Sequence, residues 1–129
     1  MRNIIVSESV TLDGVMEDPG SGEKSKHGTW SFQFWNEQAM KLKYDELFAR
    51  DALLLGPVTY EGLAKAWPTM QDIGDFGERM NGIPRYVTST TLKKAGWHNS
   101  KIISKNVVTE IKELKKQLGL DILVAGRAN

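Results

Sequence analysis

The chain has 129 residues, enough for one domain with a real core, and its Lys plus Arg (17) nearly balance its Asp plus Glu (16). A net charge of +1 gives no electrostatic footprint for nucleic acid or an anionic membrane, so neither is expected as a partner. There is no cysteine, which excludes thiol catalysis, disulfides and cysteine-based zinc sites; no apolar run reaches the length of a membrane span or opens the chain as a signal peptide, and a cytoplasmic protein is expected.

In chain order, Ile4, Ile5, Val6 and Val10 predict a first strand over Ile4 to Val10, with Glu8 inside it. A carboxylate in an apolar strand faces solvent, a partner or a cleft, because burying it unpaired is costly. Leu12-Asp13-Gly14 reads as a turn. Residues 17 to 29 form a polar loop, long enough for a lid or binding loop and equally readable as a solvated excursion. Trp35 to Arg50 reads as a helix whose core stripe is Met40, Tyr44, Leu47 and Phe48.

The apolar run Ala52 to Leu55 then meets Gly56, and a helix is predicted from about Thr59 to Trp67, with Tyr60, Leu63, Ala64 and Trp67 on one face and Pro68 ending it. A strand–glycine–helix turn points free backbone N–H groups and the positive end of the helix dipole at an anion. It is also how most α/β connections are built, and neither this turn nor Gly126 is a GxGxxG fingerprint or a P-loop. The stretch 69 to 83 reads as a loop, with one helical turn holding Phe76 and Met80.

Arg85 to Ser89 and Lys101 to Ser104 read as strands. Between them Ser89-Thr90-Thr91 offers three hydroxyls at a strand end, suited to holding a phosphate or to capping the turn. Thr109 to Leu118 is an amphipathic helix with Val108, Ile111, Leu114 and Leu118 inward and Gly119 as its C′ residue. Asp121 to Ala125 is the last strand and meets Gly126. The order β-α-β-α-β-β-α-β predicts an α/β fold with a largely parallel sheet, and clefts beyond the strand ends of such sheets bind nucleotides. His27 and His98 are isolated, so no metal site is expected and no Ser-His-Asp triad is proposed.

Five segments together resemble a known family: Ser-Glu-Ser-Val-Thr-Leu-Asp-Gly-Val (7–15), Leu-Leu-Gly-Pro-Val-Thr-Tyr-Glu-Gly (54–62), Ala-Trp-Pro (66–68), Tyr-Val-Thr-Ser-Thr-Thr-Leu (86–92) and Ile-Leu-Val-Ala-Gly (122–126). In order and spacing they are similar to the dihydrofolate-reductase-like proteins related to the C-terminal reductase domain of the bifunctional riboflavin-biosynthesis deaminase-reductase. The resemblance covers essentially the whole chain and implies a single three-layer α/β/α domain. It implies NADPH as cofactor and a small heterocyclic or carbonyl substrate, as in reduction of 5-amino-6-(5-phosphoribosylamino)uracil.

Carried onto this sequence, the resemblance places Gly56 and Thr59 along the cofactor phosphates, Ser89 and Thr90 near the adenosine 2′-phosphate, and Gly126 at the pyrophosphate. Ser7, Glu8, Asp13 and Val15 then border the nicotinamide, with Glu8 and Asp13 as the groups that orient substrate or a proton-delivering water. Pro57 stands where the family often has Arg, and Arg127 where a small residue is usual. True dihydrofolate reductases also carry an acid on the first helix; near the matching stretch stand Glu37, Met40 and Lys41, with no carboxylate at the aligned position, so folate reduction is not expected. Family members continue for several dozen residues beyond this glycine, adding a strand beside the first. A chain ending at Asn129 is therefore expected to look truncated, to leave its first strand unpaired on one edge and to form a homo-oligomer. The rival expectation is a non-catalytic remnant that binds nucleotide weakly or acts through another chain.

Overall fold

Runs of Leu, Ile and Val with few polar interruptions make strands that bury both faces, and this chain has two, Ala52–Leu55 and Ile122–Val124. In the computed structural model, which describes residues 1–16, 19, 26 and 28–126, both lie at the centre of a five-stranded sheet. The elements are β1 (Ile4–Ser7), α1 (Glu37–Phe48), β2 (Arg50–Leu55), α2 (Pro57–Ala66), α3 (Gly74–Gly82), β3 (Arg85–Thr88), β4 (Ser100–Ile103), α4 (Val107–Lys116) and β5 (Asp121–Ala125). Two 3₁₀ turns, Trp30–Phe34 and Trp67–Thr69, precede α1 and follow α2.

The sheet order is β1-β5-β2-β3-β4 and every pairing is parallel. The last strand enters between the first two, in register Ile4 with Ile122 on one side and Ala52 with Ile122 on the other. Alternate residues then face opposite layers. Leu53, Leu55, Val87 and Leu123 pack with Leu47 of α1, Tyr60 of α2 and Met80 of α3. Ala52, Leu54 and Ile122 pack with Leu114 of α4. Moves along the sheet in one direction thus carry their connections on one face, and the return from β4 to β5 carries α4 on the other, as crossovers of a single hand require.

The amino edge of the sheet is tied by polar groups. Arg2, buried, pairs with Asp51 and donates from Nε to the Leu120 carbonyl at 2.6 Å, while Asp51 accepts the Leu120 N–H at 2.8 Å. Asp121 accepts the Asn3 N–H at 2.8 Å, and this bond holds its carboxyl below the usual range.

Several boundaries differ from the sequence reading. The first strand stops at Ser7, so Glu8 lies beyond its end rather than inside it, and Val10 is exposed outside any strand. The first helix starts at Glu37, where Asn36 caps it by accepting the Ala39 N–H at 2.9 Å. The second begins at Pro57, a residue pre-set for the first helical position. The stretch 74–82 is a full helix, amphipathic through Phe76, Gly77 and Met80 despite three glycines.

Of the predicted inward residues, Val108 in α4 and Leu118 beyond its end are exposed; Leu114 is buried and Ile111 half-buried. The helix ends at Gln117, whose backbone is extended, so Gly119 is not its C′ residue; a Cβ on Gly119 would instead collide with Asp51. The polar loop over 17 to 29 falls largely outside the described residues, as do His27 and Arg127.

The inward face of α1 is also rotated from the predicted stripe. Met40, Tyr44 and Phe48 are exposed, while Ala39, Lys43 and Glu46 are half-buried and Leu47 is buried. Tyr44 stacks on Phe48 with ring centroids 4.4 Å apart and faces Phe76 of α3 at 6.5 Å. The aromatic residues therefore join two helices at the surface, and two charged residues take the inward positions.

Candidate functional site

Because all five strands are parallel, their carboxyl ends share one edge of the sheet. That edge carries Ser7, Gly126, Gly56 and Ser89 at the ends of β1, β5, β2 and β3. From β1 to β4 it spans about 19 Å at the usual spacing between strands of about 4.8 Å. The connection leaving β3 returns over the α1–α3 face, where Leu92 and Trp97 join that core, whereas the connection leaving β4 goes to the α4 face. Neighbouring strands whose connections part to opposite faces open a crevice between their ends, and this is where open α/β sheets place ligands.

A cavity of about 340 Å³ lies there, lined by Pro57, Thr88, Ser89, Thr90, Ile103 and Val107 among others. It is bordered by the first residues of α2 and α4. Neither helix has a side chain capping its N-terminus, since Gly56 has none to offer and Asn106 makes no capping bond. Uncapped first-turn N–H groups favour a negative charge in front of them.

Ser89 is buried, and its Oγ accepts the N–H groups of Thr91 at 3.2 Å and Leu92 at 3.0 Å. It caps the turn, which is one of the two readings its sequence allows, and its Oγ also lies 3.4 Å from Thr91 Oγ1. Thr90 is exposed. Among the described residues no cluster of three or more His, Cys, Asp and Glu could hold a metal ion.

Gly126 and Thr59, far apart in sequence, are brought into contact. Gly126 has φ +91°, and a Cβ there would sit 2.6 Å from Thr59 Cγ2 and 2.8 Å from its Cβ. The end of β5 therefore fits against α2 only because this residue is glycine. Gly56 is the opposite case. Its φ of −77° is open to any residue and a Cβ would meet nothing within 4 Å. Gly56→Ala is accordingly expected to leave the melting temperature within about 2 °C, because neither strain nor overlap opposes it. Any loss of nucleotide affinity in that variant would then report close approach of the ligand; a large fall in melting temperature would contradict the geometry.

At the β1 end, Lys43 of α1 donates from Nζ to Ser7 Oγ at 2.8 Å and to Glu46 Oε2 at 3.2 Å. Glu8 lies beside this group: burial pushes its carboxyl up, and the Lys43 ammonium opposes the rise. Asp13 is not part of the cluster. It is exposed and accepts the Thr11 hydroxyl within a turn in which Val15 N–H donates to Thr11 Oγ1 at 2.8 Å. Asp13 and Val15 thus shape a surface turn, with Gly14 at φ +88°.

Sequence reasoning passed over Lys43 and Glu46. It sought an acid near Glu37 to Lys41, whereas the carboxylate on the inward face of α1 is Glu46, almost three turns on from Asn36. The available signal was the spacing of Ala39, Lys43, Glu46 and Leu47, which is as helical as that of the aromatic stripe. Compared with known protein families and with curated proteins, the chain matches none.

Proposed function

We propose that the chain is an NADPH-dependent reductase of a small heterocyclic or carbonyl substrate, with the dihydrofolate-reductase-like fold that its five segments resemble. The observation that carries this reading is the cavity at the carboxyl edge, where the threonine and serine hydroxyls of residues 88–91 meet two uncapped helix N-termini. The described residues that line it include hydroxyls and helix N–H groups and no cation, which suits a phosphate held by hydrogen bonds. Such a site does not need the arginine that Pro57 replaces.

In this reading Thr90, beside Ser89, meets the adenosine 2′-phosphate. Gly56, Thr59 and Gly126 border the pyrophosphate, and Ser7 and Glu8 lie toward the nicotinamide. The bound cofactor supplies hydride; the protein positions the reactants and excludes water. No helix among the described residues is long and apolar enough to cross a membrane.

The test is a titration with NADPH and with NADH, read by quenching of the 4 tryptophans. Thr90→Val keeps the side chain's shape and removes its hydroxyl. It is expected to weaken NADPH about tenfold, the worth of a hydrogen bond to a charged group at about 1.5 kcal/mol, and to leave NADH within about twofold. Equal weakening of both would remove Thr90 from the 2′-phosphate. No binding of NADPH to the parent protein would end the reading, and binding without oxidation on any acceptor would favour a binding-only protein.

A further inference from the structure

The group at the end of β1 has a direction that its use as a mere ion pair leaves unexplained. Glu46, Lys43 and Ser7 stand in line from the body of α1 to the carboxyl edge of the sheet: carboxylate, ammonium, hydroxyl. Glu46 and Lys43 are i,i+3 neighbours whose side chains keep 19% and 34% of their exposure, so the pair is held in a partly desolvated place. Lys43 donates to Ser7, which occupies a lone pair of that oxygen and leaves the hydroxyl proton free to be given away. Ser7 is the last residue of β1 and shares the sheet face of Ala125, next to the Gly126 turn.

A lone lysine at such an edge would suit a phosphate or carboxylate. Here Glu46 bonds the ammonium and Glu8 lies close enough to feel its charge, so the cluster carries no excess positive charge to offer an anion. A neutral acceptor is what fits: an oxygen or nitrogen doubly bonded to carbon, taking a hydrogen bond from Ser7.

From this we infer that Ser7 donates the proton to the acceptor atom of a neutral carbonyl or imine substrate, and that Lys43, held by Glu46, positions Ser7 and replaces that proton. The inference rests on the reductase reading above. When the substrate carbon gains hydride, a C–H bond forms and the π electron pair moves to the oxygen or nitrogen. That atom takes the Ser7 proton, the Ser7 O–H re-forms at the expense of a Lys43 N–H, and water returns a proton to the amine. The substrate is reduced, the nicotinamide oxidised, and one proton is consumed from solvent. The direction is downhill, since an alkoxide is far more basic than the lysine amine.

The test uses the whole chain with a panel of neutral aldehydes, ketones and cyclic imines, and four variants: Ser7→Ala, Lys43→Met, Lys43→Arg and the double Ser7→Ala/Lys43→Met. Ser7→Ala and Lys43→Met are each expected to lower kcat about 100-fold, within the usual range for a lost proton donor, with NADPH affinity within about twofold of the parent. The double variant is expected to fall no further than about twofold below the worse single variant, because both residues serve one relay. Lys43→Arg, which keeps a cationic donor, is expected to recover more than Lys43→Met.

A second readout needs neither cofactor nor substrate. The Lys43 ε-methylene carbon–proton NMR signal, assigned by its loss in Lys43→Met, is expected to shift in Ser7→Ala. An unmoved signal, unchanged kcat in Lys43→Met, losses that multiply in the double variant, or an arginine no better than methionine would each overturn the relay. So would a parent protein that binds NADPH and reduces no member of the panel. A parent that fails to bind NADPH overturns the reductase reading instead.

Discussion

Arg85→Met is expected to cost about 3 kcal/mol and to lower the melting temperature by roughly 10 °C, the penalty of leaving buried carbonyls without their donor. Arg85 is fully buried at the start of β3, and its guanidinium lies 3.5 Å over the Trp97 ring. Its two terminal nitrogens donate to the carbonyls of Met80, in the last turn of α3, and of His98, just before β4. One side chain thus closes the end of a helix, covers an aromatic ring and fixes the crossover between two parallel strands.

Burial lowers the Arg85 pKa to about 10, and Tyr60 acts weakly the other way. Because the folded value is depressed, the charge costs the fold stability at every pH below about 10, and that cost shrinks only as pH rises from there toward the unfolded value. Stability between pH 5 and 8 is therefore not expected to vary through this group. Lysine is no substitute, lacking the flat fork that both stacks and bonds twice. The check is denaturant unfolding at pH 7: a lower midpoint at constant slope supports the account, and a methionine variant as stable as the parent would show that the two carbonyls are satisfied in another way.

Gly126→Ala is expected to destabilise by about 2 to 3 kcal/mol, combining a positive-φ penalty with overlap against Thr59. The cause can be divided. Thr59→Gly removes the three atoms nearest the new Cβ, so the pair Gly126→Ala/Thr59→Gly should recover the overlap with Thr59 and retain a φ penalty of about 1 kcal/mol, apart from the helix cost of the new glycine measured in Thr59→Gly alone. Strict additivity of the two changes would mean that Gly126 and Thr59 do not touch. In the reductase reading the single variant should also lose NADPH affinity, because the β5 end would be pushed from the α2 N-terminus. The contrast with Gly56→Ala, which has open space, separates a glycine required by packing from one that only a ligand would require.

The rotated face of α1 shows where periodicity stops being informative. Tyr44 and Phe48 are large and apolar, yet their rings are used between helices at the surface. Lys43 reaches inward because a long stem lies along apolar surface while its ammonium finds Ser7 and Glu46. A pattern that ranks residues by hydrophobicity places such a lysine outside. The helix over Gly74–Gly82 was hidden for a related reason: its glycines lower its intrinsic propensity, but Gly77 lies against Ile73, where a larger residue would collide. Packing overrides propensity there.

By itself the sequence determined the central strands, the glycine at each of their carboxyl ends and the hydroxyl run after β3. Unbroken apolar stretches have only one way to bury both faces, and glycine and serine punctuate backbone locally. The tertiary structure alone decided that β5 enters between β1 and β2, which sets Gly126 against Thr59. It also brought Lys43 to Ser7 and closed Arg85 over Trp97. Each of these joins residues distant in the chain, and in each a charge or a missing side chain is tolerated only because a particular neighbour receives it. No local periodicity encodes that neighbour; the order of the strands supplies it.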